Sequence, residues 1–135
     1  MRLNILDIDG KTVKKDDRYE VIDNNFLKNL IVSSTNLNPG KSTSGHSHSG
    51  QEEVYHFVKG KGQMKIDDEV FPVSEGDLIL IEDGKFHQVV NDSKILFILF
   101  VFLMVLEITR SFCNRSASGS IRCLRFLDLI IFHLL

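Results

Sequence analysis

Cysteine is scarce in this chain, and what little there is falls late: Cys113 and Cys123 are the two examples in 135 residues. Their spacing fits neither a zinc ribbon nor a redox motif. A chain of this length can bury a core without a disulfide staple, so the pair reads as two reduced thiols. A strong charge of one sign is also missing. The formal net charge is −2, with no basic patch, which excludes the nucleic-acid-binding class. No apolar run reaches the roughly 20 residues of a membrane-spanning helix. Ile95–Leu106 is an unbroken apolar run of twelve and reads as a buried strand that continues into something else. The opening MRLNILDIDG lacks the apolar core of a signal peptide, so a cytoplasmic protein is expected and a membrane partner is not. There is no phosphate-binding loop and no internal repeat. Lys28, Lys41, Lys65 and Lys85 read as solvated surface charges.

The composition that remains, 43% hydrophobic and 25% charged, is that of one globular domain. Residue usage nevertheless changes near Phe102. Residues 1–102 carry all ten lysines, two arginines and sixteen acids; residues 103–135 carry four arginines, two acids and both cysteines. The formal charges are −4 and +2. Residues 1–102 are therefore expected to form the domain and residues 103–135 an extension. Three readings of the extension follow. It is a foreign segment from a frameshift or an out-of-frame gene end, or a native helix covering a barrel mouth or a partner subunit, or a peripheral membrane anchor. The helix is expected over Ile121–Leu135, with Arg122, Arg125 and Asp128 on its polar side.

The first part reads as all-β, because short apolar runs alternate with frequent turn signals. Asp9-Gly10 between Leu3–Ile8 and Thr12–Val13 suggests a hairpin. Phe26–Leu37 is a strand ended by Asn38-Pro39-Gly40. Glu53–Val58 alternates and is rich in β-branched and aromatic residues. Gly62–Ile66 and Glu69–Val73 flank the two-residue turn Asp67-Asp68. Asp77–Ile81, Phe86–Val90 and Lys94–Phe102 complete a series of strands that suggests a sandwich or barrel. The stretch Asp7-Ile8-Asp9-Gly10-Lys11-Thr12-Val13 is similar to the aspartate pair of haloacid-dehalogenase-like phosphatases. Lys11 interrupts that spacing and no α/β pattern follows, so the hairpin reading is preferred.

Chemistry concentrates in Gly45-His46-Ser47-His48-Ser49-Gly50-Gln51-Glu52-Glu53 and in Gly76–Asn91. Residues two apart on a strand share a face, so His46 and His48 can reach one metal ion. Glu53 opens the next strand and can face the same interior, and His87 follows a tight turn as a fourth candidate. Imidazole and carboxylate are ordinary ligands of first-row divalent metals. On the Glu53–Val58 strand, Glu53, Tyr55 and Phe57 share one face. Glu52 and His56 share the other, and His56 is read as an outward or interface residue.

Both segments resemble the two motifs of the cupin superfamily. His46, His48, Glu53 and Gly60 match the first, and Gly76, Gly84, His87 and Asn91 match the second, about two dozen residues on. Glu82 stands where the family usually has proline, a residue that stiffens a turn and binds nothing. The resemblance, which spans roughly residues 26–102, implies a double-stranded β-helix (jelly-roll) barrel over residues 1–102, with metal motifs at 45–60 and 76–91. It also selects Glu53 over Glu52 by the count back from Gly60. It implies one divalent ion on His46, His48, Glu53 and His87, with manganese or iron foremost and nickel or zinc as alternatives. A small-molecule ligand in the barrel and a homodimer through outer strands are implied as well. The expected function is a metal-dependent isomerase or epimerase acting on a small sugar-like or polar substrate, with Tyr55 as the catalytic acid/base residue. Iron-dependent dioxygenase chemistry and a ligand-binding cupin without turnover are the alternatives.

Overall fold

The computed structural model describes residues 2–4, 8–104, 108–115 and 121–128, with Met104 and the last two segments described as backbone only. Nine strands build the barrel: β1 (Lys11–Lys15), β2 (Tyr19–Asn24), β3 (Leu30–Leu37), β4 (Glu53–Lys59), β5 (Lys61–Ile66), β6 (Glu69–Ser74), β7 (Leu78–Ile81), β8 (His87–Val90) and β9 (Phe97–Met104). A six-stranded sheet has the order β1-β2-β3-β9-β4-β7, and a three-stranded sheet has the order β6-β5-β8. All pairings are antiparallel. This is the expected all-β jelly roll, and no helix occurs among the described residues.

The alternation read in β4 is the alternation of burial. Glu53, Tyr55 and Phe57 are buried, whereas Val54, His56 and Val58 are half-buried on the other face. Phe57 stacks on Phe97 from β9, with ring centroids 5.0 Å apart and planes 16° from parallel. Around this pair lie Leu37, Met64, Val89 and Leu99, all essentially inaccessible to solvent. The unbroken apolar run of β9 has a structural reason. Phe97, Leu99, Val101 and Leu103 enter this core, while Ile98 and Phe100 join Ile8 in a second cluster with Ile22, Val32 and Val58. A strand covered on both faces has no polar side to encode.

The first hairpin departs from expectation. β1 pairs with β2 through the turn at Asp16–Arg18, so Asp9-Gly10 is not the hairpin turn. Residues 5–7 of the Leu3–Ile8 strand expected before it lie outside the described residues. The signal for the true turn is Asp16, whose Oδ1 accepts the N–H groups of Arg18 (2.8 Å) and Tyr19 (3.2 Å). A short acidic side chain closing its own turn in this way competes well with a glycine. Arg18 returns to Asp16 Oδ2 at 2.6 Å and holds that carboxyl far below its ordinary range.

The extension also differs from expectation. Ile121–Asp128 is a strand, β11, paired with β10 (Ile108–Arg115) as a hairpin of eight residue pairs, and not the start of a helix. Two eight-residue segments separated by a short stretch containing Ser and Gly satisfy each other's backbone groups, which a lone amphipathic pattern read along one segment cannot register. Residues 129–135 of the expected helix lie outside the described residues. No described helix is long and apolar enough to cross a membrane.

Both rings of the aromatic stack are fully enclosed. Phe57→Ala is expected to lower stability by about 3–5 kcal/mol, read as a shift of the urea unfolding midpoint with the slope unchanged.

Candidate metal centre

Two backbone connections create the site. His46 and His87 form an antiparallel bridge, His46 N–H donating to His87 O at 3.1 Å and His87 N–H to His46 O at 2.8 Å. Two residues along, Gly84 N–H donates to His48 O at 2.8 Å. The two motif segments thus run side by side, and Gly50 N–H adds a 2.6 Å bond to Asp83 Oδ1. Glycines permit this approach at two points. A Cβ on Gly45 would fall 2.1 Å from the Phe86 ring, and Gly84 has φ of +76°, a conformation that other residues adopt only with strain.

The four residues named by the sequence come together. One ligand atom from each of His46, His48, Glu53 and His87 lies within 4.8 Å of the others. Glu53 comes from the six-stranded sheet and His87 from the three-stranded sheet, so the group spans the barrel interior. Glu53, His48 and His87 are buried at 2%, 7% and 1% exposure. His48 Nε2 stands 2.9 Å from Glu53 Oε1, and His87 Nε2 stands 3.4 Å from Glu53 Oε2. Ligand atoms about 2.1 Å from one shared ion sit about 3 Å apart at adjacent positions, which is the spacing of these contacts.

The imidazoles are oriented for this role. His46 Nδ1 lies 3.2 Å from Ser44 O, and His87 Nδ1 lies 3.0 Å from Lys85 O. A ring that donates Nδ1–H to a carbonyl presents the lone pair of Nε2, the arrangement found behind metal-bound histidines. His46 Nε2 is buried with no hydrogen-bond partner, and His87 Nε2 and the Glu53 oxygens are buried facing one another. Buried polar atoms are normally satisfied. A divalent ion at their common point would complete all of them together, so the residues fit the group.

Charge in the site is set by burial and by the cluster itself. Burial pushes the Glu53 carboxyl up, but neighbouring His48 and His87 outweigh it and hold the carboxyl down at about 2. Burial, then the adjacent His87, holds His46 below its ordinary value and keeps the ring neutral. Tyr55 shares the inner face with Glu53, its ring 5.5 Å from that of His87. Burial and then the Glu53 charge push its hydroxyl well above the ordinary tyrosine value.

Beside His46 and Tyr55 is an enclosed cavity of about 20 Å³ whose walls include Tyr19, Thr35, Thr43 and Ser44. That is room for about one water molecule. Tyr19 Oη donates to Ser44 Oγ at 3.2 Å and accepts Ser44 N–H at 3.4 Å, which fixes this wall. Sequence reasoning did not find Tyr19 or Ser44. A larger groove of about 490 Å³ takes in Glu53 together with Leu30, Ile66, Leu80, Phe102 and Lys85. One motif residue serves the scaffold instead. Asn91 is fully buried, donating to Leu37 O (3.0 Å) and Ile95 O (2.8 Å) and accepting from Ser93, which locks the loop before β9. Lys85 and Lys41 are paired with Asp67 (2.8 Å) and Asp17 (2.9 Å).

The fold and this cluster of histidines and glutamate define a cupin. Residues 33–102 match the Cupin domain family, and the chain belongs to it. An uncharacterised protein of Methanocaldococcus jannaschii is 38% identical over 52 residues, 38% of this chain and 42% of that protein. An oxalate-binding protein of Thermotoga maritima is 31% identical over 55 residues, 41% of this chain and 46% of that protein. The chain therefore spans less than half the length of these two relatives. In fold it is similar to the crystal structure of a predicted oxalate decarboxylase from Thermotoga maritima, with a TM-score of 0.59, 21% identity, and 65% of this chain and 81% of that one covered.

The depressed His46 value gives a pH dependence with a defined sign. A histidine held neutral by the fold contributes stability that is complete above the unfolded value of about 6.5. The contribution is lost as the pH falls through that value toward the lower folded one. The melting temperature of metal-free protein is expected to be flat above pH 7 and to decline below about 6.5. His46→Gln should remove part of that decline in scanning calorimetry.

Proposed function

We propose that the chain is a divalent-metal cupin that binds a small oxygen-rich molecule at the ion and acts on it as an isomerase or epimerase. The observation that carries this reading is the convergence of His46 Nε2, His87 Nε2 and the Glu53 carboxylate on one buried point beside a cavity with hydroxyl-bearing walls. Three imidazoles and one carboxylate suit Mn(II) or Fe(II), and accommodate Ni(II) or Zn(II). An ion held there would polarise a carbonyl or hydroxyl oxygen and acidify the neighbouring C–H bond.

The chain's own residues divide the remaining work. Neutral His46 and ionised Glu53 are in the protonation states that metal binding requires. Tyr55 keeps its proton at neutral pH, so its role is that of donor to an oxygen gaining charge. Tyr19 and Ser44 hold each other, which fixes the polar wall beside His46 and Tyr55. The cavity beside His46 and Tyr55 holds about one water molecule, whereas the groove of about 490 Å³ that reaches Glu53 has room for a small molecule.

A second reading, ligand binding without turnover, is supported by the likeness to the Thermotoga maritima oxalate-binding protein. A homodimer through outer strands is proposed as well. Leu78 and Leu80 on the sheet-edge strand β7 are 60% and 72% exposed, and pairing would cover such an edge.

Elemental analysis of purified protein, beside His87→Ala, tests the metal. Near-stoichiometric manganese or iron that disappears in the variant is expected, and little metal in either protein after reloading would overturn the reading. Tyr55→Phe is expected to retain the metal while lowering turnover about 10²–10⁴-fold in an aldose–ketose or epimerase screen. Loaded wild-type protein that binds but turns over nothing would select the binding cupin. Substrate-dependent oxygen uptake by the iron form would select a dioxygenase.

A further inference from the structure

We propose that Cys113 and Cys123 form a reversible disulfide across the β10–β11 hairpin. Both cysteines of the chain lie in this hairpin, and its register places them directly opposite each other. The placement is the sixth of eight steps in a continuous ladder that runs from Ile108↔Asp128 to Arg115↔Ile121 without a bulge. Directly opposed residues of antiparallel strands lie on one face, with Cα atoms about 4.5–5.5 Å apart. That falls inside the span of about 4.4–6.8 Å that a disulfide bridges. A slip of one residue would end the opposition, so the pairing is specific to this register.

The same ladder places arginines at neighbouring register positions. Arg115 and Arg125 stand two residues beyond the cysteines on their strands, on the face that carries them. Arg122 adjoins Cys123 in sequence.

A small-molecule disulfide such as oxidised glutathione is the co-reactant. One cysteine thiolate attacks a glutathione sulfur, forming a mixed disulfide and releasing one glutathione thiolate. The opposite cysteine, after losing its proton, attacks the protein sulfur of that mixed disulfide and releases the second glutathione thiolate. The chain loses two protons and two electrons, and oxidised glutathione takes them up to become two molecules of the thiol. Reduced glutathione in excess reverses both steps.

The test uses the full chain, equilibrated in mixtures of reduced and oxidised glutathione and quenched with acid. Trypsin cuts after Arg110, Arg115, Arg122 and Arg125, so the disulfide joins residues 111–115 to residues 123–125 in one cross-linked peptide. That peptide is expected, with an intact chain lighter by two hydrogens. It should appear at a ratio of oxidised to reduced glutathione at least about tenfold lower than the urea-unfolded chain requires, because the hairpin raises the effective concentration of one thiol at the other. Cys113→Ser should give only the glutathione adduct of Cys123. Glutathione adducts or linked dimers as the main product of the unaltered chain would overturn the proposal. So would a folded chain that oxidises no more readily than the unfolded one.

Discussion

The two backbone hydrogen bonds between His46 and His87 connect everything else in the site. They carry the first histidine-bearing segment against β8, and so against the three-stranded sheet, while Glu53 enters from the six-stranded sheet. With those bonds in place the imidazoles face the carboxylate. The ring nitrogens that point away from the centre are already committed to Ser44 and Lys85 carbonyls. The Nε2 atoms and the carboxylate oxygens are then left as a buried, partly unsatisfied set. Such a set costs stability unless something completes it. The scaffold thus accepts a local cost at a place where a cation would repay it.

Much of this was legible in the sequence because the relevant signals are local. The His-x-His spacing, the alternation of Glu53, Tyr55 and Phe57, and the Asp67-Asp68 turn each follow from a period or a short turn. All four residues read as ligands meet in one cluster. The role of Asn91 was less legible: its match to a motif says nothing of whether it serves the site or the scaffold, and its hydrogen bonds to Leu37 and Ile95 answer for the scaffold. Tyr19 and Ser44 could not be found by spacing. They are 25 residues apart and meet only after β2 has paired with β3.

The two misreadings share a cause. Asp9-Gly10 carries a stronger turn signal than Asp16-Asp17-Arg18, yet the side chain of Asp16 closes the turn that is used. Ile121–Asp128 has the spacing of an amphipathic helix, yet β10 supplies a partner for every residue in it. In both places a non-adjacent hydrogen-bonding partner outweighed the preference of the segment taken alone.

The position of β9 has a consequence for the order of events during synthesis and folding. The last strand of the six-stranded sheet in sequence is not at its edge but between β3 and β4, pairing with both along most of its length. Until residues 97–104 have emerged, β3 and β4 each present an unpaired edge, and the first motif has no completed sheet behind it. Closing the sheet then requires contacts between segments 60 to 74 residues apart, as in Leu37↔Phe97 and Leu30↔Met104. Contacts of such range make for slow folding and a long-lived state with open strand edges. The cluster of His46, His48, Glu53 and His87 is therefore expected to assemble late in folding, once β9 has been inserted between β3 and β4.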